Sequence, residues 1–213
     1  MTAAAPAPSP DAPGLLPLFP LQAVLFPGGL LQLKVFEARY LDLVSRCLRE
    51  RSHFAVVCLN QGTEVRQPGA EAVRFESVGV LTQLLDVDAE QPGILRVRCV
   101  GGQRVELLRP RQRDDGLWLA RPRPCADDAA AAVPPALQGS ARALAQAIAS
   151  LAQQGQHPIA TPHRLDDAGW VANRWCELLP LPLSAKQRLM VLDEPLLRLK
   201  LVDDFLRSRG VLS

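Results

Sequence analysis

The 213-residue sequence predicts an α+β protein: a small β-barrel or sandwich with one early helix, then an all-α helical bundle. Three observations predict it. Short apolar runs, many alternating with period 2 and separated by Gly/Pro turns, occupy most of residues 15–124. A single stretch with helical periodicity interrupts them, opening at Glu37. After an Ala/Asp/Pro-rich passage at 125–135, only helical periodicity remains. The expected organisation is a disordered tail (1–14), a β-rich unit (15–124), a linker (125–135) and a helical unit (136–213).

The elements follow in order. After Met1, the stretch to Gly14 holds only small residues, prolines and one acid, with no positive or apolar region of a signal peptide, and Met1 to Gly14 reads as disordered. Leu15 to Leu21 is apolar but cut by Pro17 and Pro20, which fits an extended edge strand. Val24-Leu25-Phe26 continues that strand, and Pro27-Gly28-Gly29 turns sharply. Leu31, Leu33 and Val35 alternate with Gln32 and Lys34, the pattern of a half-buried strand. Tyr40, Leu41, Val44 and Leu48 form one stripe of an amphipathic helix ending near Arg51. Phe54 to Leu59 is a buried strand, followed by a polar loop through Pro68-Gly69. Val78 to Val87, Leu95 to Cys99, Arg104 to Leu108 and Leu117 to Ala120 are further strands. Turns at Pro92-Gly93, Gly101-Gly102 and Asp114-Asp115-Gly116 separate them.

In the C-terminal part, Leu137, Leu144, Ile148 and Leu151 share a helix face that stops near Gly155. Asp166 or Asp167 caps the next helix, which carries Trp170 and Trp175; five apart, these rings face different neighbours. Ser184 to Gln187 has capping-box spacing. Asp193 caps the last helix, with Pro195 in its first turn and Leu196, Leu199 and Leu206 inward.

Composition excludes several classes. Lys+Arg 24 against Asp+Glu 22 leaves a net charge of +2, no general attraction to nucleic acid or an anionic membrane. No run of roughly 20 apolar residues is present to span a bilayer. The five cysteines, at 47, 58, 99, 125 and 176, are odd in number and lack C-x-x-C spacing, so they read as small hydrophobes in a reducing cytoplasm. His157 and His163 share a loop with Asp166 and Asp167, but their spacing fits no zinc pattern, and no metal or other cofactor is expected. The carboxylate pairs Asp114-Asp115, Asp127-Asp128, Asp166-Asp167 and Asp203-Asp204 are sequence neighbours at turns or helix ends, where solvation or capping explains them. No G-K-[ST] follows any glycine pair, so no phosphate-binding loop is expected. Lys34 and Lys186 suit no Ser–Lys dyad, because Lys34 sits on a half-exposed strand and Lys186 in a helix start.

Two surfaces remain as candidates. Phe19, Phe26, Phe36 and Tyr40 cluster in the opening segment; core packing explains them, unless part of this edge stays exposed to receive extended polypeptide. Arg96 and Arg98 share a strand face, and Arg109, Arg111 and Arg113 keep the same period. A basic strand face could contact RNA phosphates, although arginine stems also shield an outer sheet face.

Leu16-Pro17-Leu18-Phe19-Pro20-Leu21, Val24-Leu25-Phe26-Pro27-Gly28-Gly29 and Val35-Phe36-Glu37-Ala38-Arg39-Tyr40 together resemble the opening of the Lon protease N-terminal, substrate-binding domain. Val78-Gly79-Val80, the Pro92-Gly93 turn and Val100-Gly101-Gly102-Gln103-Arg104-Val105 are similar to later motifs of that family. Leu178-Leu179-Pro180, Lys186-Gln187-Arg188-Leu189 and Leu197-Arg198-Leu199 resemble its helical end. The resemblance spans about Leu15 to Leu206. It implies a PUA-like barrel with a helical C-terminal part that binds client polypeptides, as an adaptor for a protease or chaperone machine, with no catalysis of its own. Val105 stands where the family usually carries an aromatic. The chain ends where Lon continues into its motor and protease parts, so a stand-alone binding protein is expected. The alternative is an RNA-binding PUA-like protein that uses the arginine strands.

Overall fold

A computed structural model describes residues 14–64 and 73–212 of the chain. The expected tail through Pro13, and the polar loop around Pro68-Gly69, lie outside the described residues. Among the described residues, seven strands form one sheet: β1 (Leu16–Leu21), β2 (Leu30–Val35), β3 (Phe54–Gln61), β4 (Arg74–Phe75), β5 (Val78–Gln91), β6 (Ile94–Gln112) and β7 (Trp118–Pro124). The order β1-β7-β6-β5-β3 closes on itself because β1 also pairs with β3, in parallel. The result is a barrel of five strands, with β4 attached to β3 and β2 attached to β6.

β1 is not the edge strand its prolines suggest. It pairs with β7 over Leu16–Leu18 and with β3 over Leu18–Leu21. The two ladders overlap only at Leu18, so each proline has a strand neighbour on one side only and its missing N–H costs little. All six β1 residues are buried. Val24-Leu25-Phe26 does not extend the strand; it lies in the loop before β2. Nor is Gly101-Gly102 a turn. β6 runs through it for 19 residues, and Gly101 exchanges hydrogen bonds with the loop, receiving Gly28 N–H at 2.7 Å and donating to Gly29 C=O at 2.8 Å. A side chain at Gly101 would collide with the Phe26 carbonyl, so the glycine serves close backbone approach.

Helix α1 (Ala38–Glu50) buries Tyr40, Leu43, Val44 and Cys47. The stripe is rotated from the expected one, and Leu48 is left exposed. Arg51 ends the helix in the left-handed conformation, where its N–H reaches Cys47 C=O.

The remaining helices are α2 (Gln138–Gln153), α3 (Ala168–Leu178), α4 (Leu183–Val191) and α5 (Pro195–Ser208). Asp167 caps α3, accepting Trp170 N–H at 3.0 Å. Ser184 lies inside α4 and Asp193 precedes the α5 cap, Glu194, so neither forms the expected cap. Leu196 points outward, while Arg198, Leu199, Val202 and Leu206 are buried.

Residues 125–135 are not a free spacer. Ala132 bridges to Asp167, Val133 is buried, and Asp128 binds two arginines. One hydrophobic core runs from Phe19, Phe54 and Val97 of the barrel to Trp175, Leu199 and Leu206 of the helices. A smaller cluster, including Leu18, Val57 and Val105, fills another part of the barrel. Val105 is 1 % exposed there, packed without the bulk of an aromatic ring.

Candidate functional site

β2 has one strand partner among the described residues, β6, leaving its other edge open. Beside that edge lies a groove of about 350 Å³. Phe19, Leu21, Ala23, Leu31 and Phe36 supply its apolar surface, and Lys34, Glu37 and Glu64 its polar rim. The local sequence explains the placement. Period 2 turns Leu33 and Val35 into the core and Gln32, Lys34 and Phe36 outward. Phe36 then falls between the strand and the first turn of α1, where neither element covers it. It is 50 % exposed.

The floor is rigid. Phe19 stacks on Tyr40 with ring centroids 4.0 Å apart and also meets Phe54 at 5.9 Å. The Arg39 guanidinium lies 4.6 Å over the Tyr40 ring, pairs with Glu37 at 2.9 Å and donates to Gly116 C=O at 2.7 Å. Burial pushes the Tyr40 hydroxyl up to about 12, against the opposing pull of Arg39, so the phenol stays neutral.

The four predicted aromatics therefore separate. Phe19 and Tyr40 form the buried wall of the groove, Phe36 its exposed lip, and Phe26 is fully buried in the core and offers no surface. The rim residue Glu64 carried no signal in sequence, because it reaches the groove only through the fold: its side chain accepts Gln22 N–H and its C=O accepts from Arg39.

The arginines separate as well. Arg96 stands opposite Asp88 and Arg98 opposite Asp86 across β5–β6. A bulge between Leu108 and Arg111 breaks the expected period, with Arg109 at φ +50. Arg113 lies beyond the end of β6 and pairs with Asp115, while Arg123 pairs with Glu106. Arg96, Arg98, Arg109, Arg111 and Arg113 are not one continuous cationic face.

Arg104 is buried rather than solvated, and it belongs to a seam the sequence did not reveal. Arg104 donates to Met190 C=O, Ala126 C=O and Asp128; Arg198 donates to Asp128, Asn173, Leu189 C=O and Leu192 C=O. Arg174, fully buried, donates from one nitrogen to Pro27 C=O and Glu177, both at 2.8 Å. Burial pushes the Glu177 carboxyl up to about 7, against the pull of Arg174 and Lys186. A cleft of about 430 Å³ opens between Arg104, Asp128 and Asn173 of the seam and Gly28, Gly102 and Trp170. Among the described residues no cluster of His, Cys, Asp and Glu is suited to hold a metal ion, and no helix is long and apolar enough to cross a membrane.

A family model described as the ATP-dependent protease La (LON) substrate-binding domain matches residues 15–208, nearly all of the chain. The chain belongs to the Lon substrate-binding domain family. Among solved structures, it is similar to the crystal structure of a Lon N-terminal domain protein from Xanthomonas campestris. The two share 32% identity and a TM-score of 0.69, over 88% of this chain and 96% of that one. The N-terminal domain of the Mycobacterium avium complex Lon protease has the same fold at 15% identity. Its TM-score is 0.62, over 89% of this chain and 96% of that one. No curated protein matches the chain. The family motifs map onto the parts described above. The opening segment builds β1, the loop before β2 and the groove wall; Val78-Gly79-Val80 begins β5; and Arg198 of the helical end closes the seam.

Proposed function

We propose that the protein binds extended, apolar segments of client polypeptides along the open edge of β2. The half-exposed Phe36 at the lip of an apolar groove carries this reading. An extended segment gains main-chain hydrogen bonds from the strand edge that no other described strand covers and places alternate side chains against Phe36, Leu31 and Ala23. Membership in a substrate-binding family supports a polypeptide ligand. We also propose that it serves as an adaptor, delivering clients to a separate protease or chaperone machine in the cytoplasm. Five cysteines, none in a disulfide, support the reducing compartment.

Fluorescence anisotropy with a labelled, unfolded apolar peptide tests the binding. Phe36→Asp is expected to weaken it about tenfold or more, from lost apolar contact and a charge at the lip. Unchanged affinity in that variant overturns the assignment of the groove. The arginine strands carry no comparable case for RNA, since Arg113 and Arg123 are engaged by carboxylates and a bulge divides the row.

A further inference from the structure

We propose that a second groove, around Arg98, takes the C-terminal end of the client, with its free α-carboxylate against the guanidinium. The inference rests on the strand-edge reading and specifies which polypeptides that edge selects.

The groove, about 420 Å³, lies between the outer face of the sheet and the end of α2 with the 156–163 loop. Ile148, Leu151, Ile159 and Leu85 make most of it apolar. Its ionisable lining is Arg98, His157 and His163, with no carboxylate. Arg98 differs from Arg104, Arg113 and Arg123: no ion pair or hydrogen bond engages its side chain among the described residues. Asp86 stands opposite it in register across β5 but forms no ion pair with it. An apolar pocket with one unengaged guanidinium complements a ligand that is apolar and ends in one negative charge. The end of a polypeptide chain has that chemistry. A nucleic acid strand would need a row of cations, which the groove lacks.

β2 joins this groove to the other. Leu30, its first residue, lines the Arg98 groove, and Leu31 to Val35 line the groove that ends at Phe36. A client whose last residue meets Arg98 and then follows β2 runs antiparallel to it. Arg98 stands opposite Gln32, so at ~3.3 Å per residue the client reaches Phe36 after about four residues, or about six from Leu30.

The test uses the full chain and two labelled peptides of one alternating apolar sequence ending in leucine, one a free acid and one a C-terminal carboxamide. The acid is expected to bind about tenfold or more tighter, the worth of a charge-assisted hydrogen bond. Arg98→Gln should bring the acid down to the amide and leave the amide unchanged, while Arg98→Lys retains part of the preference. Arg98 is exposed, and a thermal melt checks that both variants fold. Equal binding of acid and amide, or equal weakening of both by Arg98→Gln, overturns the inference. If the peptides bind equally and Phe36→Asp still weakens both, the strand-edge reading stands without it; if neither binds, both fall. Displacement of the acid peptide by a single-stranded oligoribonucleotide also overturns it.

Discussion

The seam between barrel and helices and the groove beside β2 are built from opposite materials. At the seam, Arg104, Arg174 and Arg198 are buried, and all three give hydrogen bonds to backbone carbonyls and to Asp128 or Glu177. At the groove, the surface is aliphatic and aromatic, one strand edge has no partner strand among the described residues, and Phe36 stands half in solvent. The contrast teaches that buried charge in this protein joins its own parts. Buried guanidinium groups are costly to desolvate. Arg104 and Arg198 are held by many fixed partners and have little capacity left for a ligand, whereas Arg174 is held through Nη2 alone, its Nε and Nη1 having no hydrogen-bond partner among the described residues. The open apolar surface has the reverse character, since covering it releases free energy.

The largest expected effect breaks the seam. Asp128→Ala removes a carboxylate shared by Arg104 and Arg198 and should destabilise the fold by about 3–5 kcal/mol, measured by urea unfolding. A loss within 1 kcal/mol would show that the carbonyls alone hold the two arginines.

The next effect is the pH dependence of Glu177. Its folded-state value, about 7, lies above the ordinary 4.5. The stability it contributes is therefore fully present below pH 4.5 and is lost as pH rises through 7, on the order of 2 kcal/mol. Glu177→Gln should flatten that slope between pH 5 and 8. An unchanged slope would assign the titration elsewhere.

Phe36→Asp sharpens the other side of the contrast. It should weaken peptide binding about tenfold while moving stability by less than ~0.5 kcal/mol, because Phe36 lies outside the core. A large drop in stability would make Phe36 a packing residue instead. The smallest effect is expected at Arg111→Ala, within ~0.5 kcal/mol, and with no change in peptide affinity.

Much of the fold was legible because local periodicity carries it. The alternation at Leu31, Leu33 and Val35 placed β2, and the Asp166-Asp167 pair marked the start of α3, where Asp167 is the cap. The errors have physical causes. Two prolines make β1 look like an edge, yet its ladders divide at Leu18. Gly101-Gly102 looks like a turn, yet the absent side chain admits the 26–29 loop against a continuing strand. Of the candidate site, Phe36 and the Phe19–Tyr40 wall were visible as an aromatic cluster, but burial alone separates them from Phe26. Arg104 and Arg98 lie on one strand and read alike in sequence; only the neighbours brought by the end of α4, by Leu192-Asp193 and by Asp128 make one structural.

By itself the sequence determined the helices, several of the strands and the family, since these depend on short-range patterns and on motifs in order. Tertiary structure alone decided how the barrel closes, which arginines are buried, and which aromatic faces solvent. Those outcomes depend on segments up to 147 residues apart meeting, as Pro27 and Arg174 do. A side chain's hydration is fixed by what packs over it, and no local pattern records that.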